Sequence, residues 1–99
     1  MRFKIYYVDQ AKHWLDSQPP EKSAYVKRAF ESLITDQPEV GVPIANDKFY
    51  SRQFGRARVF KTYAYAPGQR ILYWIARQFG RVAAFRIKDR NDDPYGDGR

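Results

Sequence analysis

The sequence predicts an α+β fold: an N-terminal strand and an αα-hairpin packed on one face of an antiparallel sheet of three to four strands. Three observations lead there. Apolar residues alternate with polar ones at Phe3, Ile5 and Tyr7, they recur at helical spacing through Val26, Phe30, Leu33 and Ile34, and from Ala57 onward period-two runs are cut by two turn signals. A chain of 99 residues is expected to form one domain spanning residues 1–99. At that size nearly every large apolar side chain must join a single core, and large cofactor folds are excluded.

Strand one covers Phe3 to Val8. Asp9 follows as the N-cap of a short helix through Ala11, Trp14 and Leu15, which Pro19 and Pro20 end. The second helix starts with Pro20 in its first turn, turns Val26, Phe30, Leu33 and Ile34 inward and Lys27, Arg28 and Glu31 outward, and stops before Gln37-Pro38. Residues 36–56 read as a long connection, longer than compact domains usually carry, so a short strand, a helical turn or a functional loop is expected within it. Three strands follow, at about 57–65, 70–77 and 81–90. Ala66-Pro67-Gly68-Gln69 suits a type II turn, and Gln78-Phe79-Gly80 suits a three-residue loop with Gly80 left-handed.

These turns set registers, and registers set faces. The first puts Tyr65 opposite Arg70, Tyr63 opposite Leu72 and Lys61 opposite Trp74. The second puts Ala76 opposite Val82, Trp74 opposite Ala84, Leu72 opposite Arg86 and Arg70 opposite Lys88. One face then carries Lys61, Tyr63, Tyr65, Arg70, Trp74, Arg86, Lys88 and Arg90. The other carries Phe60, Thr62, Ala64, Ile71, Tyr73, Ile75, Phe85 and Ile87, apolar enough to pack on the helices. Tyr6 and Tyr7 are expected to serve edge and core packing.

Charge follows the same division. Residues 1–49 hold seven basic and seven acidic residues, whereas residues 50–99 hold eleven basic and four acidic, so the whole net charge of +7 lies in the second half. A basic sheet face interleaved with Tyr and Trp suits a polyanion, RNA above all, because cations meet phosphates and aromatic planes stack on unpaired bases. The chain has no cysteine and one histidine, so no disulfide, thiolate metal site or histidine metal cluster is expected, and no metal or other cofactor is assigned. No apolar run approaches a signal peptide core or a membrane span, and a cytoplasmic protein without membrane partners is expected. His13 lies on the first helix away from the basic face and is assigned no catalytic role. Asp89, Asp92, Asp93 and Asp97 fit no metal-loop spacing and read as a solvated tail.

The order of strand, helix hairpin, long connection and three-strand meander, with RVFKTYAY, GQRILYWI and RVAAFRIKDRNDDPY, resembles the RelE/ParE superfamily of toxins from bacterial toxin-antitoxin systems. The resemblance covers nearly the whole chain on short motifs. It implies a RelE-like microbial RNase-type fold and either a ribosome-dependent, metal-independent messenger-RNA endonuclease or, alternatively, a non-nucleolytic ParE-like gyrase inhibitor or nucleic-acid binder. Its implied partners are a cognate acidic antitoxin, the ribosome and mRNA. For the nuclease it implies catalytic roles for Lys61 in acid-base or electrostatic work, Arg70 in clamping the scissile phosphate, Arg90 in stabilising transition-state charge and Tyr95 in orienting or stacking on substrate. Tyr63, Trp74, Arg86 and Lys88 are the expected RNA contacts, with Trp74 and Leu72 equally readable as an apolar groove for an antitoxin segment. The pattern departs from the family at Tyr63, where several members carry a second lysine, in a contracted spacing from Arg90 to Tyr95, and in lacking a catalytic histidine.

Overall fold

The computed structural model describes residues 2–63 and 65–91. Its elements run β1 (Lys4–Tyr7), α1 (Asp9–Ser17), α2 (Pro20–Ile34), β2 (Val42–Pro43), β3 (Arg58–Thr62), β4 (Gln69–Ala76) and β5 (Arg81–Asp89). Among the described residues the strands form a five-stranded sheet in the order β1-β5-β4-β3-β2, one more than the upper expectation. The additions arise at both edges. β1 pairs parallel to β5, and the long connection contributes the two-residue β2 beside β3. That connection also contains 3₁₀ turns at Pro38–Val40 and Asp47–Phe49, so its length does conceal structure.

Both helices cover one face of the sheet. Ala11 and Trp14 of α1 and Val26, Phe30 and Ile34 of α2 pack on Ile71, Tyr73, Ile75, Val82, Ala84 and Ile87. Leu33, expected inside, is 43% exposed at the margin of the helical stripe. Asp9 is not the cap that the sequence suggests: it is the first residue of α1 with φ +53°, a left-handed conformation that aspartate tolerates better than most residues. The helix hairpin also protects an edge. β1 stops pairing with β5 at Ala84, and Gln10 Oε1 of α1 then accepts the Ile87 N–H at 2.7 Å, giving that strand a partner beyond its neighbour. Gly80 sits at φ 62°, the left-handed turn position expected of it.

Two tyrosines, Tyr7 half-buried and Tyr73 fully buried, tie the layers together. Tyr7 donates to the Glu31 carboxylate at 2.7 Å, and burial together with that carboxylate pushes its phenol well above the usual range. Tyr73 donates to the Pro38 carbonyl at 2.6 Å and accepts the Gly41 N–H at 3.0 Å, with burial raising its pKa. This anchors the start of the connection to the central strand. A Cβ on Gly41 would lie 2.9 Å from both Tyr73 Cε1 and the Val59 carbonyl oxygen, and closer still to the phenol oxygen. Gly41→Ala is therefore expected to cost about 1–3 kcal/mol through overpacking. The corresponding loss in a thermal melt is roughly 5–20 °C.

Candidate nucleic-acid interface

Side chains alternate across β3, β4 and β5, so every second residue faces away from the helices. On that outer side the ladder sets Lys61 beside Arg70 and Arg70 beside Lys88, making one row of three cations from three strands. With neighbouring strands about 4.8 Å apart, the two lysine backbones bracket Arg70 at roughly 10 Å from each other. Arg86, paired with Leu72, lies one step along β5 on the same side.

Arg90 is held to this row through its backbone. Its N–H donates to the Gly68 carbonyl at 2.8 Å, while Arg70 Nη1 donates to the Arg90 carbonyl, also at 2.8 Å. Its guanidinium lies 4.7 Å from the centre of the Tyr63 ring, which is 60% exposed. Lys61, Arg70, Arg86, Lys88, Arg90 and Tyr63 are thus gathered on one surface as expected. Tyr65 is not among them: it packs toward the helices, 6.2 Å from Tyr25 and 5.6 Å from the Lys22 ammonium. Tyr95 and the aspartates at 92, 93 and 97 lie outside the described residues, as does Ala64, expected in the core.

Among the described residues none of the five cations is paired with a carboxylate. Strand alternation explains why Asp89, next to Lys88 on β5, does not neutralise them. Asp89 points to the helix side, where Lys22 approaches it at 3.8 Å and Gln69 Nε2 at 3.4 Å. Like charges directly opposite across strands are destabilising. A row that carries three of them with no paired acid among the described residues is electrostatically prepared for an external polyanion. Arg86 adds to this, with its Nε buried and lacking a hydrogen-bond partner among the described residues.

The outer face around Leu72, Trp74 and Phe85 is covered, and this corrects the expectation for Trp74. A bulge between Leu72 and Tyr73 shifts the pairing to Tyr73 with Ala84 and Trp74 with Ala83, which brings Phe85 to the outer side. Phe85, expected in the helix-facing core, stacks on Trp74 with centroids 3.8 Å apart. The connection closes over them: Ile44, Phe49 and Ala57 pack with Val59, Leu72 and Phe85, and Phe54 lies 6.1 Å from Trp74. The indole N–H donates to the Phe49 carbonyl at 2.8 Å. Trp74 is thus spent on holding this cover, and Leu72 is fully buried beneath it, so neither forms an open groove. The missed signal was in the connection itself, whose Ile44, Phe49 and Phe54 needed an apolar surface that the helix-facing side could not provide. Trp74→Phe is expected to leave RNA affinity within about twofold and to lose about 1 kcal/mol from the removed hydrogen bond. Faster proteolysis within residues 44–57 is the readout, whereas a stacking role would show as a large affinity loss.

Neither protein-family models nor curated proteins match the chain. Solved structures do. A chain of the toxin-antitoxin complex RelBE2 from Mycobacterium tuberculosis superposes with a TM-score of 0.61 at 21% identity, covering 91% of this chain and 100% of that one. The E. coli toxin RelE, as an arginine double mutant in the free state, superposes with a TM-score of 0.64 at 11% identity, covering 92% and 86%. The fold is that of the RelE toxins. On this RelE fold the basic row occupies the helix-free side of the sheet, at the end of the β3–β4 hairpin.

Proposed function

We propose that this chain is the toxin of a toxin-antitoxin pair and a metal-independent endoribonuclease that cuts messenger RNA on the ribosome. The observation carrying this reading is the row of Lys61, Arg70 and Lys88, flanked by Arg86 and Arg90 without a carboxylate partner among the described residues, on the RelE fold. In the proposed reaction the ribose 2′-oxygen attacks the adjacent phosphorus in line and the 5′-oxygen departs. Arg70 and Arg90 hold the non-bridging oxygens, where negative charge accumulates in the transition state. Attack and departure occur on opposite sides of the phosphorus, and a phosphate centred on Arg70 has a lysine to either side. Lys61 and Lys88 are the proposed groups for moving a proton off the 2′-hydroxyl and onto the leaving oxygen. Lys88 thereby offers the second lysine that Tyr63 does not. Tyr63, already stacked by Arg90 on one face, offers its other face to a base, and Arg86 contacts the adjoining backbone.

The proposed antitoxin is acidic, since an acidic segment crossing the row would neutralise and cover it together. Among the described residues no helix is long and apolar enough to cross a membrane. The test is induced expression in a bacterial host with mapping of messenger 5′ ends. Codon-phased cuts are expected. Growth arrest with DNA damage would redirect the reading to a gyrase inhibitor, and unimpaired growth without the antitoxin would overturn both.

A further inference from the structure

We propose a second nucleotide site away from the basic row: a crevice at the far end of β4 where Arg56, Arg58 and Arg77 take a phosphate of single-stranded RNA and Phe54 takes its base. It deepens the reading of the chain as an RNA-cutting toxin and rests on it. The second-half charge excess is only partly used by the row, and these three arginines form its other concentration. They line a cavity of about 420 Å³ together with Phe54 and Ile75. A neighbouring cavity of about 270 Å³ shares Phe54, Ile75 and Arg77 as walls and adds the exposed ring of Phe79.

The three guanidiniums are held in place from behind. Arg58 Nη1 donates to the carbonyls of Glu39 at 2.9 Å and Gly41 at 2.6 Å, and Arg56 Nη1 donates to that of Ile44 at 3.1 Å. Arg77 pairs with the Glu39 carboxylate. Each guanidinium carries five N–H donors, so these contacts orient the groups and leave donors for a ligand. One paired carboxylate against three guanidiniums leaves a net positive pocket, and the planar forks match a phosphate's oxygens. The aromatic wall favours RNA over an acidic peptide, because an unpaired base stacks on such a ring and a glutamate side chain does not. Ile75 lies five positions beyond Arg70 along β4, about 17 Å, and faces the helix side whereas Arg70 faces outward, so the crevice is separate from the row.

The probe is a 5′-fluorescein 12-mer oligouridylate, followed by anisotropy across a salt series. Arg56→Gln with Arg77→Gln removes two cations while sparing Arg58, whose bonds hold the connection. The Arg77–Glu39 pair is more than half exposed on both sides, so the fold is expected to persist. The expected result is about tenfold weaker binding and a log–log salt slope shallower by about 1.4, from two lost phosphate contacts on a single strand. Phe54→Leu is expected to weaken binding severalfold with the slope unchanged. An unchanged slope in the arginine variant or unchanged affinity in Phe54→Leu overturns the nucleotide assignment. So does loss of a labelled polyglutamate 12-mer while oligouridylate binding holds, which would make the crevice a carboxylate site. A Lys61→Gln, Arg70→Gln variant measured alongside separates the two readings. If it alone loses RNA, the row stands and the crevice falls. If only the crevice variant does, the reverse holds.

Discussion

Arg70→Ala is expected to slow cleavage of ribosome-bound message by two to three orders of magnitude, about 3–4 kcal/mol of transition-state stabilisation. In-line attack adds negative charge to the phosphate oxygens, and Arg70 sits at the centre of the row that would receive it, with Lys61 on one side and Lys88 on the other. Its side chain is oriented beforehand by the bond from Nη1 to the Arg90 carbonyl, so the alanine variant also releases one of the two main-chain contacts that set Arg90, leaving the one to Gly68. Effects at Arg70 and Arg90 should therefore be less than additive, as expected of residues sharing a contact. Arg70→Lys keeps the charge but loses the fork, and it is expected to recover only part of the rate. The check is single-turnover cleavage on programmed ribosomes, with a thermal melt of each variant. The hydrogen bond to Arg90 is solvent-exposed, so melting should shift little and any rate loss reports on the site. If Arg70→Ala and Arg90→Ala both cut at the parental rate, the row is not a phosphate clamp.

How far the site was legible in the sequence depended on parity. The first turn was expected to set Lys61 opposite Trp74, yet the strands pair Lys61 with Arg70 because β3 ends at Thr62 and the hairpin loop is longer. The slip is an even number of residues, so side chains within the ladder keep their face while changing their neighbour, whereas Tyr65, left in the longer loop, turns to the helices. Hence the basic face could be read from the sequence, whereas the row within it could not. On the β4–β5 side the expected pairs Arg70 with Lys88 and Leu72 with Arg86 hold, and the pairs beyond them shift at the bulge. A bulge adds one residue and reverses parity, which is why period-two reading assigned Phe85 to the wrong side and left Trp74 uncovered. The N-terminal strand had the right alternation but no short-range signal for a partner, since its parallel pairing with β5 joins segments about as far apart as this chain allows.

Phe30→Ala carries the largest expected effect on stability. Phe30 is fully buried, with its ring edge-on to Phe60 at 5.5 Å and to Tyr73 at 5.4 Å, and tilted against Tyr7 at 6.2 Å. It is the point at which α2 meets three strands. Truncating such a side chain costs about 3–5 kcal/mol, because the transfer energy is lost and the surrounding rings cannot close the cavity. Against a total stability of about 5–15 kcal/mol this is a large fraction. For a domain of this size it lowers the melting temperature by roughly 15–30 °C. Leu33→Ala, on the same helix but 43% exposed, is the control and is expected to cost well under half as much. The measurement is urea unfolding followed by circular dichroism, with the m-value unchanged if both variants unfold from the same native state. Phe60 precedes Lys61 on β3, so loosening the Phe30 contact should also be felt in the row. Cleavage by Phe30→Ala is expected to fall more steeply with temperature than that of the parent, well below its own melting point. Equal costs for the two substitutions would mean that the rings around Phe30 can collapse onto the space it leaves, and that α2 is held to the sheet by its ends.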